Sequence, residues 1–143
     1  MGFRLKVKGK NNTIKLGKDN IEDVKYHSDT PDDSDARATD FSTSLTIKGK
    51  IITAIDGEPD DTKKVADWSI LSAEKADAYR KAELETIAGG QVIRKVTFPN
   101  AFVVDYIENF GKKEGTGKFT LVIRQKKDKC ELTKIEGGYS AGE

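Results

Sequence analysis

Apolar and polar residues alternate along most of the chain, most clearly between Gln91 and Gln125. Val92, Val96 and Phe98, with Arg94 among them, share one parity, and Ile93, Lys95 and Thr97 share the other. A period of two is what a strand with unequal faces produces, because successive side chains leave opposite sides of the sheet. Pro99-Asn100 predicts a break. Beyond it, Phe102, Val104 and Tyr106 alternate with Val103, Asp105 and Ile107, which predicts a second strand over 101–110 buried on much of both faces. A third follows over 118–125, with Phe119, Leu121 and Ile123 against Thr120, Val122 and Arg124. Nearer the start, Phe3, Leu5 and Val7 alternate with Arg4, Lys6 and Lys8, a half-buried strand with a basic outer face. A turn over Gly9 to Asn12 returns the chain through Thr13 to Leu16, and Asn20 to Tyr26 offers a weaker third strand. Phe41 to Ile55 is rich in β-branched residues, with Gly49 placed for a bulge or bend.

The alternation fails in a few places. Residues 28–40, SDTPDDSDARATD, hold no large apolar side chain, so they predict a long acidic surface loop. Asp56 to Pro59 reads as a turn. After it, Asp60, Asp61 or Thr62 can cap a helix over 62–71, where Val65, Trp68 and Leu71 form one apolar stripe. The segment 73–88 is ambiguous. Its Ala, Glu, Lys and Leu content favours a helix ending at Gly89, while Gly89-Gly90 between two apolar stretches also fits a tight hairpin. Residues 130–143 form a charged, then Gly-rich, C-terminal arm.

Composition narrows the function classes. A chain of 143 residues fits one domain, 1–143, with a core of its own. With 25 basic and 24 acidic residues there is no overall field to draw in nucleic acid. No apolar run reaches the roughly 20 residues of a membrane-spanning helix, and the charged start lacks a signal-peptide core. The single Cys130 fits a structural thiol made in a reducing compartment. Asp29, Asp32, Asp33, Asp35 and Asp40 invite a calcium hypothesis but lack the EF-hand spacing, and a solvated loop accounts for them. His27 is the only histidine, so neither a His-ligated zinc nor a Ser-His-Asp triad is supported. Gly111 to Gly117 carries glycines and lysines, but it joins two strands, whereas a phosphate loop runs from strand to helix. Glu83 and Glu85 are too close in sequence to define a cleft. The residues assign no catalytic group, metal or cofactor.

The order of strands, polar loop, strand, short helix and packed strands resembles the Hcp-like inner-tube proteins of type VI secretion and related contractile injection systems, themselves akin to phage tail-tube proteins. The resemblance is carried by Ala66 to Gly111, ADWSILSAEKADAYRKAELETIAGGQVIRKVTFPNAFVVDYIENFG, and by Gly115 to Lys129, GTGKFTLVIRQKKDK. It implies a mainly β fold, a barrel of antiparallel strands with one short α-helix, and makes 79–88 a strand turning at Gly89-Gly90. It further implies a structural homo-oligomer: rings, hexameric, stacking into a tube inside a sheath, between baseplate and spike. Such a protein is made and assembled in the cytoplasm and exported without a signal peptide. Charge complementarity nominates ring-stacking contacts between Arg4, Lys6 and Lys8 and the acidic residues Asp29, Asp32, Asp33 and Asp35. The alternative is a solitary β-barrel or sandwich binding module whose acidic loops hold calcium.

Overall fold

The computed structural model describes residues 1–29, 42–52, 61–112 and 116–142. Nine strands form one antiparallel sheet: β1 (Gly2–Lys8), β2 (Thr13–Leu16), β3 (Ile21–Asp29), β4 (Ser42–Ile51), β5 (Arg80–Ala88), β6 (Gln91–Phe110), β7 (Gly117–Gln125), β8 (Lys134–Glu136) and β9 (Tyr139–Ser140). Their order is β2-β1-β5-β6-β7-β4-β3, with β8 and β9 added to β6. The sheet curls until β1 meets β3 from the far end of that order, giving a barrel of antiparallel strands with, among the described residues, one α-helix, α1 (Asp61–Ser69). Leu5, Val7, Ile47, Leu84, Val96, Phe98, Leu121 and Ile123 fill the interior from alternate positions of their strands.

The expected break at Pro99-Asn100 does not occur: β6 runs unbroken for 20 residues. Its first half pairs with β5, from Ala88 opposite Gln91 to Arg80 opposite Ala101. Its second half pairs with β7, from Gln125 opposite Ala101 to Gly117 opposite Phe110. Pro99 lies where one neighbour is ending and the other beginning, which is why a residue without an amide hydrogen is tolerated inside a central strand. The side chain of Gln125, fully buried, splices the two ladders by accepting from the Asn100 amide at 2.9 Å. The Lys126 amide in turn donates to the Asn100 carbonyl at 3.0 Å.

A second correction concerns 101–110. A bulge between Val103 and Asp105 shifts the parity, so Val103 and Tyr106 pack toward the core while Val104 and Ile107 lie 43% and 44% exposed. The strand is therefore not buried on both faces. The helical reading of 73–88 is also overturned. A single 3₁₀ turn at Ala76–Ala78 leads into β5, and Gly89 and Gly90, at φ 58° and 74°, make the hairpin turn that returns it along β6. Pairing on both edges, with β1 and β6, outweighs a helix propensity of a few tenths of a kcal/mol per residue.

Gly49 faces a bulge between Ile21 and Asp23 in β3, where a Cβ would run into the Asn20 carbonyl. The helix, expected over 62–71, buries Val65 and Trp68, with Leu71 following just past its end. Trp68 donates through Nε1 to the Ala78 carbonyl at 2.9 Å, and Arg80 stacks over its ring at 5.4 Å. Arg80, itself buried, pairs with Asp77 at 2.7 Å, locking the 3₁₀ turn to the start of β5.

Replacing Gln125 with Leu leaves the half-buried Asn100 amide without its acceptor and is expected to lower stability by about 1–3 kcal/mol. Phe98→Ala, which empties a fully buried site, should cost about 3–5 kcal/mol. Urea unfolding of each variant measures both losses, and an unchanged midpoint for Gln125→Leu would remove the splice from the account.

Candidate functional site

Register alone assembles the most distinctive surface of the molecule. The antiparallel pairings place Lys15, Lys6, Glu83, Thr97 and Lys134 in one row across β2, β1, β5, β6 and β8. Two residues along, Arg4, Glu85, Lys95 and Glu136 form a second row of alternating sign. Both rows leave the sheet on the face opposite Leu5, Val7, Leu84 and Val96, so this face is charged where the other is core. Opposite charges directly across strands attract. Arg4 reaches its cross-strand partner Glu85 at 3.2 Å, Lys95 reaches Glu83 diagonally across strands at 3.0 Å, and Lys81, on Glu83's own strand, reaches it at 3.6 Å.

These contacts shift the ionisation of the groups that make them. Burial pushes the Glu83 carboxyl up, but the hydrogen bond and charge of Lys95, with Lys81 and Lys6, outweigh it and hold the group below its ordinary 4.5. The hydrogen bond from Lys95 to Glu83 raises the lysine above its ordinary 10.5 against the opposing effect of burial. At Asp77 burial also acts upward. The Lys10 amide, the Arg80 hydrogen bond and the charges of both outweigh it, leaving the carboxyl low.

The expected contact residues fall in different places. Arg4, Lys6 and Lys8 project from β1 onto the charged face, with Lys6 and Lys8 exposed. Arg4 is already engaged, by Glu85 and by donating to the Ala141 carbonyl at 3.2 Å, which ties the C-terminal arm down. Asp29 is exposed at the end of β3, at the far end of the strand order from β1 and β2. Among the described residues Asp29 makes no ion pair with these bases. Asp32, Asp33, Asp35 and Asp40 lie outside the described residues, as do Asp56, Glu58, Asp60 and the Cys130 side chain. His27 is exposed on β3. Among the described residues no three His, Cys, Asp or Glu side chains gather as metal ligands. Among the described residues no helix is long and apolar enough to cross a membrane.

The sequence reading placed an arm at 130–143 but not its pairing with β6. After a 3₁₀ segment at Lys127–Leu132, β8 and β9 lie along the edge of β6 opposite β5, held by Thr133 to Thr43 (3.0 Å), Gly138 to Val92 (2.8 Å) and Ala141 to Gly90 (2.9 Å). Every residue of β8 and β9 is exposed, so the arm is held by backbone pairing with little burial. An open cleft of about 500 Å³ at the far tip of β6 and β7 is lined by Glu22, Asp23, Lys48, Asn109, Phe110 and Lys118. These lining residues do not supply a nucleophile beside a base.

No family model matches the sequence, and no curated protein matches it. Solved structures do match, over almost the whole chain. A chain of the anti-feeding prophage baseplate aligns with a TM-score of 0.56 at 11% identity, covering 94% of this chain and 92% of that one. Hcp1 from Flavobacterium johnsoniae aligns at 0.52 and 16% identity, covering 96% of each. A chain of the native gene transfer agent virion aligns at 0.51 and 12% identity, covering 94% and 95%. At these identities the shared property is the fold. The chain has the Hcp-like fold, as Ala66 to Lys129 implied.

If the Glu83 network stabilises the sheet as its geometry indicates, the contribution is complete above pH 4.5 and disappears as pH falls through the lowered folded value. The Lys95 contribution is complete below 10.5 and is lost at higher pH. Glu83→Gln should cost about 0.2–1 kcal/mol at pH 7 and flatten the acid limb of a melting-temperature profile. Parallel acid limbs for the two proteins would show that the pair contributes nothing.

Proposed function

We propose that the chain is a structural protomer of the inner tube of a contractile injection system or phage-like tail. The observation that carries this reading is the match over 94–96% of the chain to Hcp1 and to chains of two assembled particles. The charged sheet face supports it. Five strands of registered sheet carry rows of charge that end in ion pairs and not in a reaction centre, and such a surface suits a wet lumen or a polar contact. The protein catalyses no reaction in this reading, and 1–143 acts as one domain.

Copies close into rings through a heterologous interface, in which one patch meets a different patch of the neighbour. Six copies are proposed, in keeping with the sixfold baseplate that supplies one of the matching chains. The rings stack into a tube that contacts sheath, baseplate and spike and is exported as part of the particle. Lys6 and Lys8 are the exposed bases available for stacking against the acidic segment that includes Asp29, Asp32, Asp33 and Asp35. Arg4 contributes less, because Glu85 already neutralises it.

Negative-stain images of the concentrated protein should show rings or short tubes. Lys6→Glu with Lys8→Glu should leave single rings that no longer stack, and reversing Asp32, Asp33 and Asp35 to Lys in the same chain should restore stacking. Monomers at every concentration would contradict the tube. A calcium-dependent rise in melting temperature in such monomers would point to the binding module, since a ligand bound only to the native state stabilises it.

A further inference from the structure

Two bases at the start of the chain keep donors that the fold does not use. Arg4 spends its Nη2 twice, on the Glu85 carboxylate and on the Ala141 carbonyl, both at 3.2 Å. Its other two guanidinium nitrogens find no acceptor among the described residues: Nε is shut away from solvent, and Nη1 is not. Lys18, exposed in the turn between β2 and β3, makes no ion pair or hydrogen bond among the described residues. Its stem lies across Gly2, where a Cβ would stand 3.1–3.2 Å from Lys18 Cγ, Cδ and Cε. The bare backbone at position 2 is what lets this lysine lie along β1.

Both bases line one open cleft of about 390 Å³, bounded on its other sides by the hairpin turn at Gly89-Gly90 and by Ala141 and Gly142 of the arm. None of its lining residues is acidic. Much of the wall is approachable main chain, since a Cβ added at Gly89, Gly90 or Gly142 would meet nothing within 4 Å. The β5–β6 ladder ends at Ala88 opposite Gln91, so the amides of Gly89 and Gly90 lie beyond it.

We infer that this cleft binds a small oxyanion, a phosphate or carboxylate group carried on a polar molecule. Hydrogen bonds from a guanidinium or an ammonium to such a group are charge-assisted and about twice as strong as neutral ones. Glu85 offsets the charge of Arg4, so Arg4 supplies a directed donor and Lys18 the net positive charge. The cleft falls in the range of small-molecule sites, about 300–1,000 Å³, so the oxyanion is one end of a larger ligand. Binding also couples to the arm. The Ala141 amide donates to the Gly90 carbonyl at 2.9 Å, and a ligand seated between Arg4, Lys18 and this contact holds β1, the hairpin and the arm together. The site does not depend on assembly into a tube.

Titration with inorganic phosphate and with acetate, each against sodium chloride at matched ionic strength, tests the site and separates the two sources. Calorimetry should show binding of at least one anion, and hydrogen exchange should slow in peptides covering 1–5, 87–91 and 138–142 and nowhere else. Lys18→Gln keeps most of the exposed stem, should melt as the native protein does, and should weaken binding about tenfold, the loss of one charge-assisted hydrogen bond. Lys18→Arg should restore it. Lys25→Gln, at an exposed base on β3 outside the cleft, should bind as the native protein does. Binding of phosphate alone identifies a phosphate ester, binding of acetate alone a carboxylate, and binding of both an oxyanion site without preference. Equal weakening by Lys25→Gln and Lys18→Gln, protection spread over the whole sheet, or binding of neither anion would overturn the site and leave the tube reading untouched.

Discussion

The rest of the structure depends on β6 remaining a single strand. Its first half belongs to one side of the sheet, with β1, β2 and β5, and its second half to the other, with β3, β4 and β7. A break at Pro99 would leave two small sheets of three or four strands, each of which must find a core of its own. The chain avoids this by placing the proline where β5 gives way to β7 and by using the Gln125 side chain to meet the Asn100 amide that neither neighbour reaches. One buried polar residue thus converts a helix and strand breaker into a change of partner. Phe98 and Ala101, on either side of the splice, are fully buried, so the junction is also a centre of the core.

That splice explains which parts of the fold were legible in the sequence. The alternation in Phe3–Val7 and in Phe119–Ile123 records one face against a core, and both strands are where the pattern places them. Pro99-Asn100 misleads because its meaning depends on Gln125, 25 residues away. The bulge at Val103 and Asp105 misleads similarly: a single extra residue reverses every face assignment after it, and alternation cannot show where that residue sits. In 80–88 local propensity and tertiary pairing disagree. The glycines at 89 and 90 marked the turn correctly, but which partners wait on either side is not a local property.

The charged rows were legible only as scattered charges. Glu83 and Glu85 looked like an unplaced carboxylate pair; the registers with β1 and β6 give them Arg4 and Lys95 as partners, beside Lys81 on their own strand, and make them part of a surface rather than a site. Arg4, Lys6 and Lys8 were visible as a basic face, yet their difference was not. Arg4 is consumed within the chain, by Glu85 and the Ala141 carbonyl, while Lys6 and Lys8 stay exposed. Edge treatment completes the picture. Helix α1 covers the outer edge of β2, and the arm covers the edge of β6 opposite β5.

The central claim is that this chain is a part that closes on copies of itself. Sedimentation velocity across a wide concentration series tests it most directly. The account predicts that the 15.8 kDa monomer gives way to one discrete closed species, with tubes growing from it at higher concentration. A boundary that stays at the monomer throughout, or one that passes smoothly through every intermediate size without a closed ring, would contradict it.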